Sequence, residues 1–220
     1  MSDVNLTIWI GSLALQMLLV SILFMRGLAR RVSLFTLLLL FYIARSVLLF
    51  LLPRYVSHET FGDWYEILSY LDLALELLIA TGVVIFILRR TGKQTSLSMV
   101  AAAGILIAGV ALAFLVAMAL PSVGPVPLDR GMAFIAALML ILSVWAALSR
   151  IRGPWIRIAQ GFAVYGIGAT SAGLLKSQAA LRRNTHLFAI GVYGQAAVYL
   201  AVVVFWIFAI RAQPAGSPDR

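Results

Sequence analysis

The sequence predicts an all-α membrane protein: a seven-transmembrane-helix bundle with its N-terminus outside and its C-terminus cytoplasmic. Three observations predict it. Of 220 residues, 63% are hydrophobic and only 11% charged, with a mean hydropathy of +1.02, whereas a soluble domain carries about 25% charged residues. So few charges do not cover a water-facing surface, but helices facing lipid are free to be apolar all round. Seven apolar runs reach the roughly 20 residues that a spanning helix needs. The basic residues fall in the short segments between runs, unequally on the two sides.

The runs cover residues 6–25, 33–52, 67–88, 97–120, 128–148, 156–175 and 187–210. None alternates with a period of two, which argues against a β-barrel. The first has no positive leader and no A-x-A site, and Arg26, Arg30 and Arg31 follow it. It therefore reads as a retained span with a stop-transfer signal rather than a cleaved signal peptide. With the N-terminus outside, 11 basic residues fall inside (Arg26, Arg30, Arg31, Arg89, Arg90, Lys93, Arg150, Arg152, Arg157, Arg211 and Arg220). The outer side receives 5: Arg54, Arg130, Lys176, Arg182 and Arg183. The bias sets the orientation, although the last outer loop is basic against the trend. One domain over residues 1–212 is expected, followed by a disordered cytoplasmic tail at 213–220, rich in proline, glycine and serine.

Aromatic residues near the run ends fit interfacial belts: Trp9, Tyr55, Trp64 and Tyr65 outside, Trp145, Trp155 and Trp206 inside. All seven prolines fall in loops or the tail, so no span is broken in the manner of many transporter helices. The sixth run is crowded with small residues. Ala169 and Gly173, four apart, share a face on which a neighbouring helix or a second copy of the chain would pack closely. Sliding the chain by 123 residues places Leu19 on Leu142, Tyr42 on Tyr165, Asp72 on Gln195 and Glu76 on Tyr199. This is a faint trace of a three-plus-linker-plus-three repeat.

Composition also excludes functions. With no cysteine there is no disulfide, thiolate metal site or cysteine nucleophile. The net charge of +9 resides in loops, where it faces anionic headgroups; no soluble, aromatic-interleaved basic segment suits nucleic acid. His58, among Glu59, Asp63 and Glu66, is not in an H-E-x-x-H pattern and reads as part of a solvated loop. No lysine lies deep in the last run, as a retinal Schiff base would require, and no G-x-S-x-G, P-loop or dinucleotide motif occurs in its proper context. Neither an enzyme nor a cofactor is expected.

What remains is a small set of polar residues inside the runs. An ionisable group at mid-membrane costs about 2.5–3.5 kcal/mol on insertion scales, yet Arg45 lies in the second run and Asp72 and Glu76 in the third. The two acids are four apart, on one helix face. The two runs are antiparallel, and counting from Pro53 and Trp64 puts Arg45 and Asp72 both about 12 Å below the outer loop. The arginine is therefore expected to meet one acid or bridge both. Two acids facing one arginine leave a surplus negative charge, so one carboxyl, the deeper Glu76, is expected to keep its proton at neutral pH. Tyr42, one turn from Arg45, and Gln195 and Tyr199, four apart on the last run, are the further candidates for a ligand- or proton-binding site. Tyr70, Tyr165 and Gln160 are secondary ones. No metal is implied. The cluster is either an ion pair that fixes helix register or a polar site open to the outer side.

The arginine segment Phe41-Tyr-Ile-Ala-Arg45, the acidic run introduced by aromatics from Trp64 to Glu76, and the Arg89-Arg90 stop resemble small, uncharacterised seven-helix bacterial integral membrane proteins over most of the chain. That resemblance implies the bacterial cytoplasmic (inner) membrane, multi-pass. The helix count is also similar to the seven-helix input modules of bacterial sensors, which are joined to an output domain. Here the chain runs only ten residues past the last span, so a sensor would work through a separate membrane or cytoplasmic protein. The role expected is therefore a sensor or accessory protein with partners in the bilayer and as a homo-oligomer or hetero-complex; the alternative is a small proton- or cation-coupled transporter using Asp72 and Glu76. Reporter fusions at residues 2 and 213 test the orientation. Opposite faces, with the C-terminal reporter cytoplasmic, are expected, and a shared face would reject an odd number of spans.

Overall fold

The computed structural model describes residues 3–91, 104, 107–112, 114, 115, 118 and 126–212. Its elements are α1 (Asp3–Met25), α2 (Ser33–Leu51) with a 3-10 turn (Leu52–Arg54), α3 (His58–Thr91), α4 (Val126–Leu148), α5 (Pro154–Leu181) and α6 (Thr185–Arg211). All six α-helices are long and apolar enough to cross a membrane, the construction of a multi-pass membrane protein. The predicted span at 97–120 lies largely outside the described residues; those described within it are helical. The tail at 213–220 lies outside them altogether.

The helix ends follow local chemistry. α1 closes with Gly27 left-handed (φ +65°), Leu28 N–H reaching Leu23 O at 2.9 Å and Gly27 N–H reaching Phe24 O at 3.0 Å. This double bond takes up the last free carbonyls of the helix. α4 ends in the same way, with Arg150 at φ 52° and Ile151 N–H on Ala146 O at 2.8 Å. α2 stops at Pro53, whose ring cannot continue a helix. Asn184 caps α6 by accepting Leu187 N–H at 3.1 Å. At its other end, Arg26 Nη1 donates to Ile210 O at 3.0 Å, a cation on the negative pole of the helix.

Two boundaries correct the sequence reading. α3 begins at His58 rather than residue 67, because Ser57 Oγ accepts Thr60 N–H at 3.3 Å and caps it. The expected loop with His58, Glu59, Asp63 and Glu66 is therefore the first turns of a 34-residue helix. α5 runs to Leu181 rather than residue 175, which carries Lys176 out of the expected loop and into a helix.

The six helices form a closed ring in chain order, α6 packing back on α1, with α3 also touching α5 across the middle. α3 and α4 run in the same direction: Leu73 meets Gly131, and further along Phe86 meets Gly153, just past α4. Close approach depends on glycines of α5. A Cβ at Gly161 would lie 2.2 Å from Trp206 Nε1, one at Gly166 2.2 Å from Ala136 Cβ, and one at Gly168 2.5 Å from Val198 Cγ1. Gly173, picked out from its spacing with Ala169, has nothing within 4 Å. Trp145 and Trp206, expected near the inner interface, face the bundle interior. Both are buried, and Trp206 donates its indole N–H to Arg157 O at 3.2 Å.

The ring is stratified. Toward the end where the basic residues of the helix termini gather, the interior is an apolar block interrupted, among the described residues, by the hydroxyls of Thr36 and Ser143: Leu19 and Leu23 of α1, Phe35 and Leu39 of α2, Ile79 and Val83 of α3, Met139 and Leu142 of α4, Ile158 and Phe162 of α5, Val203 and Ile210 of α6. Above it, polar residues take over. Shifted by 123 residues, Met25 falls on Leu148 at the helix ends, Gly27 on Arg150 in the two left-handed turns, and Leu19 on Leu142, both fully buried. The register faint in the sequence is thus matched by the length and closing turn of α1 and α4, 23 residues each, but not by the lengths of the later pairs, 19 against 28 and 34 against 27 residues.

Gly166→Val should destabilise the bundle by about 1–3 kcal/mol, since the backbone of α4 blocks relief. Gly173→Ala should stabilise it by up to about 1 kcal/mol through helix propensity. Unfolding in denaturant would check both, and equal effects would contradict the packing.

Candidate functional site

Five helices change from apolar to polar at one level. Gln16 stands three residues from Leu19, Tyr42 from Leu39, Glu76 from Ile79, Tyr165 from Phe162 and Tyr199 from Val202. Gln16 and Tyr42 are each nine residues from the basic end of their helices, about 14 Å. That is about half the roughly 30 Å thickness of a hydrocarbon core. One turn further out lie Ser12, Arg45, Asp72 and Gln195.

The connections are direct. Arg45 Nη1 pairs with Asp72 Oδ2 at 2.6 Å, the one ion pair among the described residues. Its Nη2 donates to Ser69 Oγ at 3.0 Å, and its guanidinium carbon lies 5.7 Å from the Tyr65 ring centroid. Tyr42 O–H donates to Glu76 Oε1 at 2.9 Å. The antiparallel register of α2 and α3 makes both contacts, since one turn on each helix separates them. Tyr42 packs edge-on to Tyr199 at 6.5 Å, and Tyr165 packs edge-on to Tyr199 at 5.7 Å. The Tyr199 hydroxyl accepts from Gln16 Nε2, and Lys176 Nζ donates to Gln195 Oε1 at 2.8 Å.

The arginine thus meets one acid and does not bridge both. Asp72 takes the ion pair, while the deeper Glu76, 1% exposed, takes a neutral phenol. Arg45 Nε, Asp72 Oδ1 and Gln16 Oε1 are buried without a hydrogen bond, so the layer has donors and acceptors to spare. A cavity of about 290 Å³ adjoins it between α1, α5 and α6, lined by Ser12, Tyr165, Lys176, Gln195 and Tyr199 among others. The group can hold a polar ligand or rearrange its hydrogen bonds when one carboxyl changes charge, because every hydrogen bond beyond the ion pair has a hydroxyl or an amide, groups free to reorient, on at least one side.

Of the residues expected from sequence, Tyr42, Arg45, Asp72, Glu76 and Tyr199 come together with Tyr165, and Gln195 lies beside them on the cavity wall. Tyr70 is exposed, on the opposite side of α3 from the acids. Gln160 accepts from Arg157 Nη1 at 3.1 Å near the basic end. Three members were missed. Gln16 carried a signal, a lone amide in the first run. Ser69 lies one turn before Asp72 on the same face. Lys176 was hidden by ending the sixth run too early. Compared with known proteins, the chain matches no family model, no curated protein and no solved structure.

Arg45→Ala strands Asp72 in the bundle and should cost about 3–5 kcal/mol, whereas replacing both partners by apolar residues, Arg45→Met with Asp72→Leu, should recover most of it. Thermal unfolding of the two variants decides. A double variant as unstable as the single one would show that the pair does more than balance charge.

Proposed function

We propose that the protein is a sensor or accessory protein of the bacterial cytoplasmic membrane that answers a polar ligand or a proton in its midplane layer and acts through a membrane or cytoplasmic partner. The supporting observation is the stratification: a polar layer and a cavity on one side of the midplane, and on the other an apolar block contributed by all six helices. A plug of this kind opposes the passage of solute and leaves a change in the polar layer to be expressed as a change in helix packing. The orientation proposed puts the polar half outside and the basic end in the cytoplasm, by the positive-inside rule. Seven crossings are proposed, because α3 and α4 run in the same direction and an odd number of crossings between them restores the side.

A second reading has its own support. Glu76 beside an ion pair, next to a cavity, is what a proton- or cation-coupled carrier needs, and alternation between two packings would open the apolar side. Purified protein in liposomes separates the two. For the sensor, the leak of protons and small solutes in wild type should equal that of Asp72→Asn, Glu76→Gln and protein-free vesicles. Flux above the protein-free level that disappears in Glu76→Gln would reject the sensor and establish the carrier.

A further inference from the structure

Lysines near the ends of membrane helices ordinarily snorkel, laying the stem along the helix and sending the ammonium outward to the interface. Lys176 does the reverse. It lies five residues before the end of α5, and its Cγ crosses α6 at Gly191, where a Cβ would stand only 2.7 Å away. Its Nζ reaches Gln195 at 2.8 Å, one helical turn further toward the bilayer centre. Gly191 is the gap that lets the stem pass. Among the described residues no carboxylate lies within ion-pair distance of this ammonium, since the one ion pair is Arg45 with Asp72. An inward-directed cation with only a neutral amide partner is costly in a low-dielectric medium, and an anion supplied from outside the chain would offset that cost.

The cavity beneath it has the complementary shape and chemistry. Its polar lining includes Lys176 and Gln195, while Ile8, Val192 and Leu200 supply an apolar wall. Val192 is exposed, so the space communicates with the surroundings of the bundle. Its volume of about 290 Å³ accommodates about ten water-sized groups, at the small end of ligand pockets.

We propose that this cavity binds a singly charged anionic head on an apolar chain, the head on Lys176 and Gln195 and the chain along α1 and α6. This names a ligand class for the sensor reading and rests on that reading for its biological sense, but the binding itself is tested independently. Octanoate, with about ten non-hydrogen atoms to match the space, is the probe. Protein in phosphatidylcholine nanodiscs is titrated with carboxyl-labelled octanoate and followed by NMR. Saturable binding is expected, weakened at least tenfold in Lys176→Met and also in Ala196→Phe, which keeps the lysine and fills the cavity; circular dichroism verifies that both variants remain helical. Octanol and octylammonium should not compete. Repeating the titration in phosphatidylglycerol discs identifies the source of the anion: undiminished octanoate binding assigns a free organic acid, and displacement assigns a lipid headgroup, each in keeping with the shared chemistry. Absence of saturable binding to wild type, equal binding by both variants, or competition by acetate as strong as by octanoate itself would overturn the proposal. Octanoate that binds and is also carried into liposomes would overturn the sensor reading while leaving the site in place.

Discussion

The structure depends on how five membrane-spanning helices accommodate polar groups inside their bundle. A guanidinium and two carboxyls cannot be left facing lipid, where each costs several kcal/mol. Satisfying them fixes the rotation of α2 and α3 about their axes and their register along one another. With Arg45 on Asp72 at 2.6 Å and Tyr42 on Glu76 at 2.9 Å, a slip of one turn would separate both pairs at once. The remaining helices follow. Tyr199 of α6 is held by Gln16 of α1 and packs against tyrosines of α2 and α5, which ties the two ends of the ring to its centre.

The apolar block does the complementary work. Lipid tails are as apolar as leucine, so burial alone does not hold these helices together; close packing does. Gly161, Gly166 and Gly168 let α5 approach α6 and α4 to distances at which a methyl would collide, and Trp206 and Phe35 fill the space between with rings 4.9 Å apart. Packing of this density tolerates little continuous deformation, so helices packed in this way move, when they move, as whole units. That is the physical ground on which a sensing role stands, and it is also how a carrier would alternate, which is why flux rather than shape decides between them.

Much of the site was legible because spacing and depth are arithmetic in a helix. The four-residue step from Asp72 to Glu76, the three-residue step from Tyr42 to Arg45 and the antiparallel sense of adjacent spans were enough to bring α2 and α3 into contact. The failures have equally simple causes. Tyr70 was judged by nearness in sequence to Asp72, but a residue two positions away on a helix faces elsewhere. Trp206 was assigned to the interface by its position near a helix end, but Gly161 opens a space that its indole fills. Lys176 was lost because an apolar window ends at the first charge, whereas a helix ends where its carbonyls find other partners, here past Leu181.

The sequence by itself determined the all-helical, multi-pass construction, five of the six described spans to within a few residues at most ends, and the meeting of Arg45 with an acid. Composition and helical periodicity carry those, and neither needs knowledge of a partner helix. Only the tertiary structure decided which acid the arginine takes, which glycines are contact points, and that five helices set their polar residues at a single level above an apolar block. Those outcomes depend on rotation and closure of the ring. They are properties of several helices together, so no one stretch of sequence contains them.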